Sequence, residues 1–288
     1  MPAALFRVDL PGRGPSLARG DAVSGPRELL PGGLSLDALL AGGAGELGQI
    51  LTGAPAAAAV PPGTAILAPV ESQEVWAAGV TYRRSRDARI EEAAQATPYD
   101  LVYEADRPEL FFKSPGWRVR GPGQPVAVRD DSTWDVPEPE LALVVAADGG
   151  IAGYCIGNDV SSRSIEGRNP LYLPQAKIYD GGCALGPCIV PAAAADPPFR
   201  IRMEVERQAG PVFTGQASTA HMRRSFPELA RWLVSALRFP AGAILLTGTG
   251  IVPGPPFTLT AGDVVRIMIE PLGTLVNPVE VLRTGPPP

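Results

Sequence analysis

The sequence predicts a β-rich α+β fold, because strand patterns outnumber helical patterns and because glycine and proline are abundant. Glycine and proline each occur 33 times in the 288 residues, and both residues interrupt long helices. This abundance excludes an all-helical bundle, and the absence of a Gly-X-Y period excludes collagen. Apolar residues make up 45% of the chain and charged residues 19%, which is typical of a folded protein with a substantial core.

The first part of the chain, residues 1–70, is predicted to form a small N-terminal domain. Phe6–Leu10 alternates in the manner of a strand, and short helices are predicted over Leu34–Leu40 and Glu46–Leu51. The stretch 53–63 is rich in alanine, proline and glycine and is typical of a linker. We therefore place a domain boundary near residue 70.

The second part, residues 71–288, is predicted to be the catalytic domain and contains most of the strands. Helices are predicted over Ser85–Ala96 and Phe226–Leu237, the second because its apolar residues share one face. A turn at Asp148–Gly150 predicts an antiparallel hairpin. The predicted strands of this part are Val75–Val80, Leu110–Lys113, Glu140–Val145, Ile151–Ile156, Ile201–Glu206, Ala243–Thr247 and Val264–Ile269.

Charge and composition exclude several classes of partner. The net charge is −5 and no basic stripe is present, so we expect no nucleic acid. No apolar stretch is long enough for a membrane span, and the first residues lack a signal-peptide pattern. Cys155, Cys183 and Cys188 form no Cys-x-x-Cys motif and are interpreted as reduced packing residues. A cytoplasmic location is therefore expected.

Histidine and lysine are both rare in this chain. The single histidine, His221, excludes zinc and iron sites with several histidines, and its polar segment predicts a surface position. Only two of the 25 basic residues are lysines, Lys113 and Lys177. A lysine can pair with a carboxylate or stabilise an enolate. For Lys177, an ordinary surface position is the alternative.

Three acidic residues are predicted to meet at the open end of the hairpin. Glu138 and Glu140 are two positions apart on a strand, so their side chains point to the same side. Asp159 ends the partner strand at the same end of the hairpin. Three converging carboxylates suit a hard divalent cation such as Mg²⁺. The alternatives are a solvated strand edge at the glutamates and an Asx turn at Asp159.

Two further segments could contribute to a site. Glu109 leads into an apolar strand and is a candidate general base, with an exposed loop carboxylate as the alternative. The glycines of Leu246–Gly250 would let backbone N–H groups approach an anion, although a tight turn explains them equally well.

Several short motifs, in this order, resemble the fumarylacetoacetate hydrolase family from about residue 72 to 282. The resemblance implies a mixed β-sandwich roll, a homodimer or dimer of dimers, and a divalent metal, usually Mg²⁺, with Ca²⁺ or Mn²⁺ as other choices. It places the metal ligands on Glu138, Glu140 and Asp159 and the active-site lysine on Lys177. The motifs are Ala78–Tyr82, Phe111–Lys113, Pro137–Leu141, Gly153–Arg163, Leu246–Gly250, Leu259–Val265 and Gly273–Val279.

Two segments are similar to a narrower branch, which dehydrates 2-keto-3-deoxypentonates to 2,5-dioxopentanoate. These segments are Arg107–Lys113 and Asn169–Tyr179. The similarity implies a small 2-keto acid as substrate and places the acid–base carboxylate on Glu109. For contacts with the substrate we predict Tyr82, Ser85, Lys113 and Thr249.

One departure from the wider family favours dehydration over C–C bond hydrolysis. The hydrolases of the family carry Tyr-x-x-His-x-x-Glu, whereas this chain has Tyr82 followed by Ser85 and Ala88. Neither replacement can activate water as a histidine does. The alternatives are an acylpyruvate or fumarylacetoacetate-type hydrolase, a decarboxylase on the same scaffold, and a ligand-binding protein without catalysis.

Overall fold

A computed structural model of the chain describes residues 2–83 and 98–285. Its strands confirm the predicted β-rich fold. They are β1 (Ala3–Leu10), β2 (Gly14–Asp21), β3 (Gly25–Leu29), β4 (Ala58–Ala59), β5 (Ala65–Leu67), β6 (Glu74–Gly79), β7 (Glu109–Pro115), β8 (Val126–Arg129), β9 (Asp135–Val136), β10 (Pro139–Val145), β11 (Ile151–Asp159), β12 (Ser161–Ser162), β13 (Cys183–Pro191), β14 (Arg200–Arg207), β15 (Gly210–Ser218), β16 (Ala243–Leu246), β17 (Val264–Ile269) and β18 (Gly273–Leu282).

The helices within the described ranges are short. They are α1 (Leu36–Ala41), α2 (Glu46–Gly53), α3 (Pro98–Glu104), α4 (Arg163–Glu166), α5 (Leu173–Lys177) and α6 (Phe226–Val234), with 3-10 turns at Gly116–Arg118, Pro170–Tyr172, Ala192–Ala194 and Thr219–His221. None of the helices in the described part of the chain has the length and apolar character that a bilayer crossing needs.

The strands form two large sheets and a small one. The largest has eleven strands in the order β4-β3-β2-β1-β13-β11-β10-β16-β6-β7, with β5 paired to β1. A five-stranded sheet has the order β15-β14-β17-β18-β8, and β9 pairs with β12. Both large sheets are mixed, because β6–β16 and β8–β18 are parallel pairs while their neighbours are antiparallel.

The central strand β10 separates two hydrophobic layers, because successive side chains of a strand point to opposite faces. Leu141, Leu143 and Val145 belong to one buried cluster with core residues of β14 and β17 from the five-stranded sheet. Ala142 and Val144 belong to a second cluster with core residues of α1 and α2. The large sheet is therefore covered by a sheet on one face and by helices on the other.

The N-terminal strand is joined to the central sheet, since β1 pairs antiparallel with β13 at Leu5 and Ile189. The division near residue 70 stays a prediction. Most of the predicted linker is exposed, although Ala58–Ala59 pairs with β3. The predicted helix Ser85–Ala96 falls outside the described residues. The other predicted helices and strands are all present.

Candidate active site

The hairpin of β10 and β11 brings the three predicted acidic residues together. Pro139 pairs with Asn158 and Glu140 with Gly157, so Glu138, Glu140 and Asp159 lie on one face at the open end of the hairpin. Their carboxylates offer oxygen atoms within 4.8 Å of one another, and all three residues are buried. The predicted convergence is confirmed. The alternative of a solvated strand edge is wrong.

The two lysines of the chain reach this acidic triad from different elements. Lys177, the last residue of α5, places Nζ 2.8 Å from Glu138 Oε2 and 2.9 Å from Asp159 Oδ2. It also donates to Ser161 Oγ at 2.6 Å. Lys113 on β7 places Nζ 2.5 Å from Asp159 Oδ1. Both ammonium groups are buried, so neither is a surface lysine.

Two further hydrogen-bond donors contact the glutamates of the triad. The buried side chain of Arg163, at the start of α4, donates from Nη2 to Glu138 Oε1 at 2.7 Å. The backbone N–H of Gly248 donates to Glu140 Oε2 at 2.6 Å. Gly248 has a φ of 91°, a conformation that favours glycine. The glycine-containing segment therefore serves a carboxylate of the protein itself.

Burial and like charges raise the pKa of Glu140 well above its ordinary value. Loss of water around the carboxylate is the larger cause, and the negative charges of Asp159 and Glu138 add to it, while Lys177 and the Gly248 N–H oppose it. A divalent cation among the three carboxylates would remove this repulsion. The all-oxygen donor set fits a hard cation such as Mg²⁺.

A cavity opens next to the triad, and two further glutamates line it. Glu109, the first residue of β7, is half-buried, and Glu166, the last residue of α4, is 3% exposed. The Glu109 carboxylate lies against Gly79 of β6, where a Cβ atom would collide with it. The cavity is lined by Ala78, Gly79, Val80, Glu109, Phe111, Glu138, Glu140, Asp159, Glu166, Leu173, Lys177, Gly248 and Thr249.

The residues predicted to contact a substrate lie in different places. Thr249 lines the cavity, although its hydroxyl contacts the backbone of Ile251. The Tyr82 side chain is buried, and its pKa is raised by burial and by the charge of Glu140. Lys113 lies against Asp159 and is absent from the cavity wall described above. Ser85 falls outside the described residues, and all four contacts stay predictions.

The cysteines and the histidine are absent from the cavity wall described above. Burial raises the pKa of the Cys155 and Cys183 thiols to about 12, which keeps them protonated and unreactive. Cys188 is buried and its thiol is also free. His221 is exposed, as predicted.

The sequence interpretation missed Arg163 and Glu166. Both follow Asp159 within seven residues, in the segment Asn158–Glu166. Their three-residue spacing places them on the same side of a helical turn. The spacing of Arg163 and Glu166 is visible in the sequence. It indicates a shared face only because α4 begins directly after β12.

The chain matches a known protein family and is similar to named proteins. The family described as Fumarylacetoacetate (FAA) hydrolase C-terminal matches residues 74–280. A Haloferax volcanii protein named "Probable 2-keto-3-deoxyxylonate dehydratase" is 49% identical over 213 residues, 73% of this chain and 73% of that protein. The "2-dehydro-3-deoxy-D-arabinonate dehydratase" of Saccharolobus solfataricus is 43% identical over 224 residues, 76% of this chain and 75% of that protein.

A solved structure extends the similarity to almost the whole fold. It is described as "2-keto-3-deoxy-D-arabinonate dehydratase complexed with magnesium and 2,5-dioxopentanoate". It is 35% identical, has a TM-score of 0.83, and covers 97% of this chain and 99% of its own. The resemblance seen in the sequence motifs is confirmed, and the chain belongs to the fumarylacetoacetate hydrolase family.

Proposed function

We propose that this protein is a metal-dependent hydro-lyase that converts a 2-keto-3-deoxypentonate to 2,5-dioxopentanoate. The observation that carries the proposal is the meeting of the acidic triad, Lys177 and Glu109 in one cavity. The similar proteins named above are dehydratases of such sugar acids, and one was solved with magnesium and this product.

Glu138, Glu140 and Asp159 would hold Mg²⁺ through their oxygen atoms. When bound, the ion supplies a Lewis acid that polarises the keto group of the substrate and acidifies the proton at C3. Lys177 fixes Glu138 and Asp159 by two charged hydrogen bonds. This arrangement keeps the carboxylates in position before the substrate arrives.

Glu109 is the proposed base for the C3 proton. Its carboxylate faces the same cavity as the triad, and Gly79 leaves the space that it occupies. Lys177 is the cation that stabilises the negative charge developing on the keto oxygen. Loss of the C4 hydroxyl as water then leaves a C3=C4 double bond. Transfer of a proton from C5 to C3 gives an enol, which becomes the C5 aldehyde.

The substrate contacts of Tyr82, Ser85 and Thr249 belong to this proposal, and the place of Thr249 in the cavity wall supports one of them. Lys113 was also predicted to bind substrate. Its hydrogen bonds to the carbonyls of Val160 and Lys177, with its ion pair to Asp159, support instead a role in holding a metal ligand.

We also propose a homodimer or dimer of dimers and a cytoplasmic location. The first rests on the family resemblance. Three free, buried thiols support the second, because reduced cysteines are typical of that compartment.

A product assay tests the proposed reaction. Purified protein with Mg²⁺ is given the D and the L enantiomer of 2-keto-3-deoxypentonate in separate samples, and the aldehyde product is followed by NMR. We expect 2,5-dioxopentanoate from at least one sugar acid, and loss of the activity in EDTA. Absence of aldehyde from both substrates at saturating Mg²⁺ would contradict the proposal.

A further inference from the structure

We propose that Glu166 is the general acid of the reaction, which protonates the departing C4 hydroxyl while Glu109 takes the C3 proton. The inference rests on the proposed dehydratase function and adds a second acid–base residue to it. Glu166 lines the same cavity as Glu109 and the triad, and it is separate from the three carboxylates that converge as possible metal ligands.

The two glutamates line the cavity from different walls. Glu109 begins β7 and lies against Gly79 of β6, within the large sheet. Glu166 ends α4, which packs against α5, the helix that carries Leu173 and Lys177. Arg163 on α4 donates a hydrogen bond to Glu138, so α4 contacts the triad directly. A substrate bound at the triad would therefore have one carboxyl group from the sheet and another from the helical wall.

The two roles follow from the positions of the glutamates in the cavity wall. Glu109 is the base of the proposed function, and Glu166 is the other glutamate of that wall that lies outside the triad. As the general acid, Glu166 starts the reaction protonated, while Glu109 starts it ionised.

The proton transfers balance over a full cycle. Glu109 takes the C3 proton, the electron pair forms the C3=C4 bond, the C4–O bond breaks, and the Glu166 proton leaves with the hydroxyl as water. Glu109 is then protonated and Glu166 is ionised. Transfer of a C5 proton to Glu166 and of the Glu109 proton to C3 gives the enol of the aldehyde. Both carboxyl groups have then returned to their starting states.

A substrate analogue without hydroxyl groups separates the two roles. 2-Oxopentanoate has exchangeable C3 protons but no leaving group, so its exchange with D₂O needs the base and not the acid. We expect Glu166→Gln to lower kcat for dehydration by about 10²–10⁴-fold while it retains C3 exchange of 2-oxopentanoate. Glu109→Gln should lose both reactions. Glu166→Asp, which keeps an acidic group, should dehydrate faster than Glu166→Gln.

Controls exclude a general loss of structure. Ser164→Ala lies on the same helix, and Ser164 bonds to Ser132 outside the cavity wall, so it should keep both reactions. Melting temperature and calorimetric Mg²⁺ affinity should be similar in Glu166→Gln and wild type.

Three results would overturn the assignment. These are full dehydration by Glu166→Gln, loss of C3 exchange by this variant with Mg²⁺ binding intact, or a dehydration rate in Glu166→Asp no higher than in Glu166→Gln. Failure of the proposed function looks different, because wild-type protein would then exchange 2-oxopentanoate without dehydrating either sugar acid.

Discussion

Glu140 has a folded-state pKa above its unfolded value because it is buried beside two other carboxylates. A carboxyl group of this kind favours folding fully at pH values below the unfolded pKa, and the contribution is lost as pH rises through the folded pKa. Without metal, Glu140 should therefore destabilise the folded protein at neutral pH. Mg²⁺ should reverse the effect by binding the ionised form, with an affinity that rises with pH.

Glu140→Gln should raise the melting temperature in EDTA at pH 7.5 and abolish the further rise that Mg²⁺ gives to the wild type. Each kcal/mol of relieved repulsion corresponds to about 2–4 °C in a protein of this size. Gln keeps an oxygen that can accept the Gly248 N–H. Thermal denaturation with EDTA and with Mg²⁺ measures both effects. An unchanged Mg²⁺ response in the variant would remove Glu140 from the metal site.

Lys177→Met should lower turnover more than stability. The ammonium group contacts two members of the triad and Ser161, and we assign it to the charge that develops on the substrate. Loss of one such donor costs about 10²–10³-fold in kcat. Steady-state kinetics at saturating Mg²⁺ should show this loss. The melting temperature under the same conditions should fall by less than the loss of a buried ion pair alone would cause, because bound Mg²⁺ neutralises the two carboxylates that lose their lysine. Full activity of the variant would exclude Lys177 from the mechanism.

Residue identities in the triad could be predicted from the sequence because strand alternation and a hairpin turn fix relative positions over a short distance. Positions that depend on distant elements could not. The substrate contact of Lys113 stays a prediction, but its ion pair with Asp159, 46 positions away, was not predicted. Only the packing of β7 against α5 brings Lys113 behind the triad.

At the scale of elements, the path of β6 beside β7 positions Glu109. Gly79→Ala should displace the Glu109 carboxylate, because the added Cβ atom would occupy its place. We expect kcat to fall by about 10²-fold, the usual effect of misplacing a reacting group by about 1 Å. Mg²⁺ affinity should be unchanged, because Gly79 contacts none of the triad in the described contacts.

Gly48→Ala is the matched control for this substitution. Gly48 lies in α2, and no atom is within 4 Å of the position of an added Cβ. The variant should keep full activity and gain up to about 1 kcal/mol of stability, because alanine favours a helix more than glycine does. Equal kinetic effects of the two alanines would contradict the positioning role of Gly79.

Strands with regular alternation were predictable, and strands that contain glycine and proline were not. The strand β13 includes Gly186 and Pro187, which normally interrupt a strand. The register between β11 and β13 shifts between Tyr154 and Ile156. This irregularity falls beside Gly186 and accommodates a residue without a backbone N–H. The pairing of β13 depends on its neighbouring strands, and the local sequence of β13 alone does not predict it.

At the scale of the whole molecule, the strand that carries Glu140 also belongs to the core, because β10 contributes side chains to both hydrophobic layers. Leu143 is fully buried in the layer between the two large sheets. Leu143→Ala should lower the free energy of unfolding by about 2–5 kcal/mol. Val23→Ala, at a side chain that is 70% exposed, should change it by less than about 0.5 kcal/mol. Denaturant titration measures both, and a small effect at Leu143 would contradict the layered core.

The central claim is dehydration rather than C–C bond hydrolysis, and a competition experiment tests it most directly. An acylpyruvate and the sugar acid that the protein accepts are mixed at equal concentration with the wild-type protein and saturating Mg²⁺, and both are followed by NMR in one tube. We predict that the sugar acid is converted to 2,5-dioxopentanoate while the acylpyruvate remains largely intact. Faster cleavage of the acylpyruvate to pyruvate, with little aldehyde formed, would contradict the account.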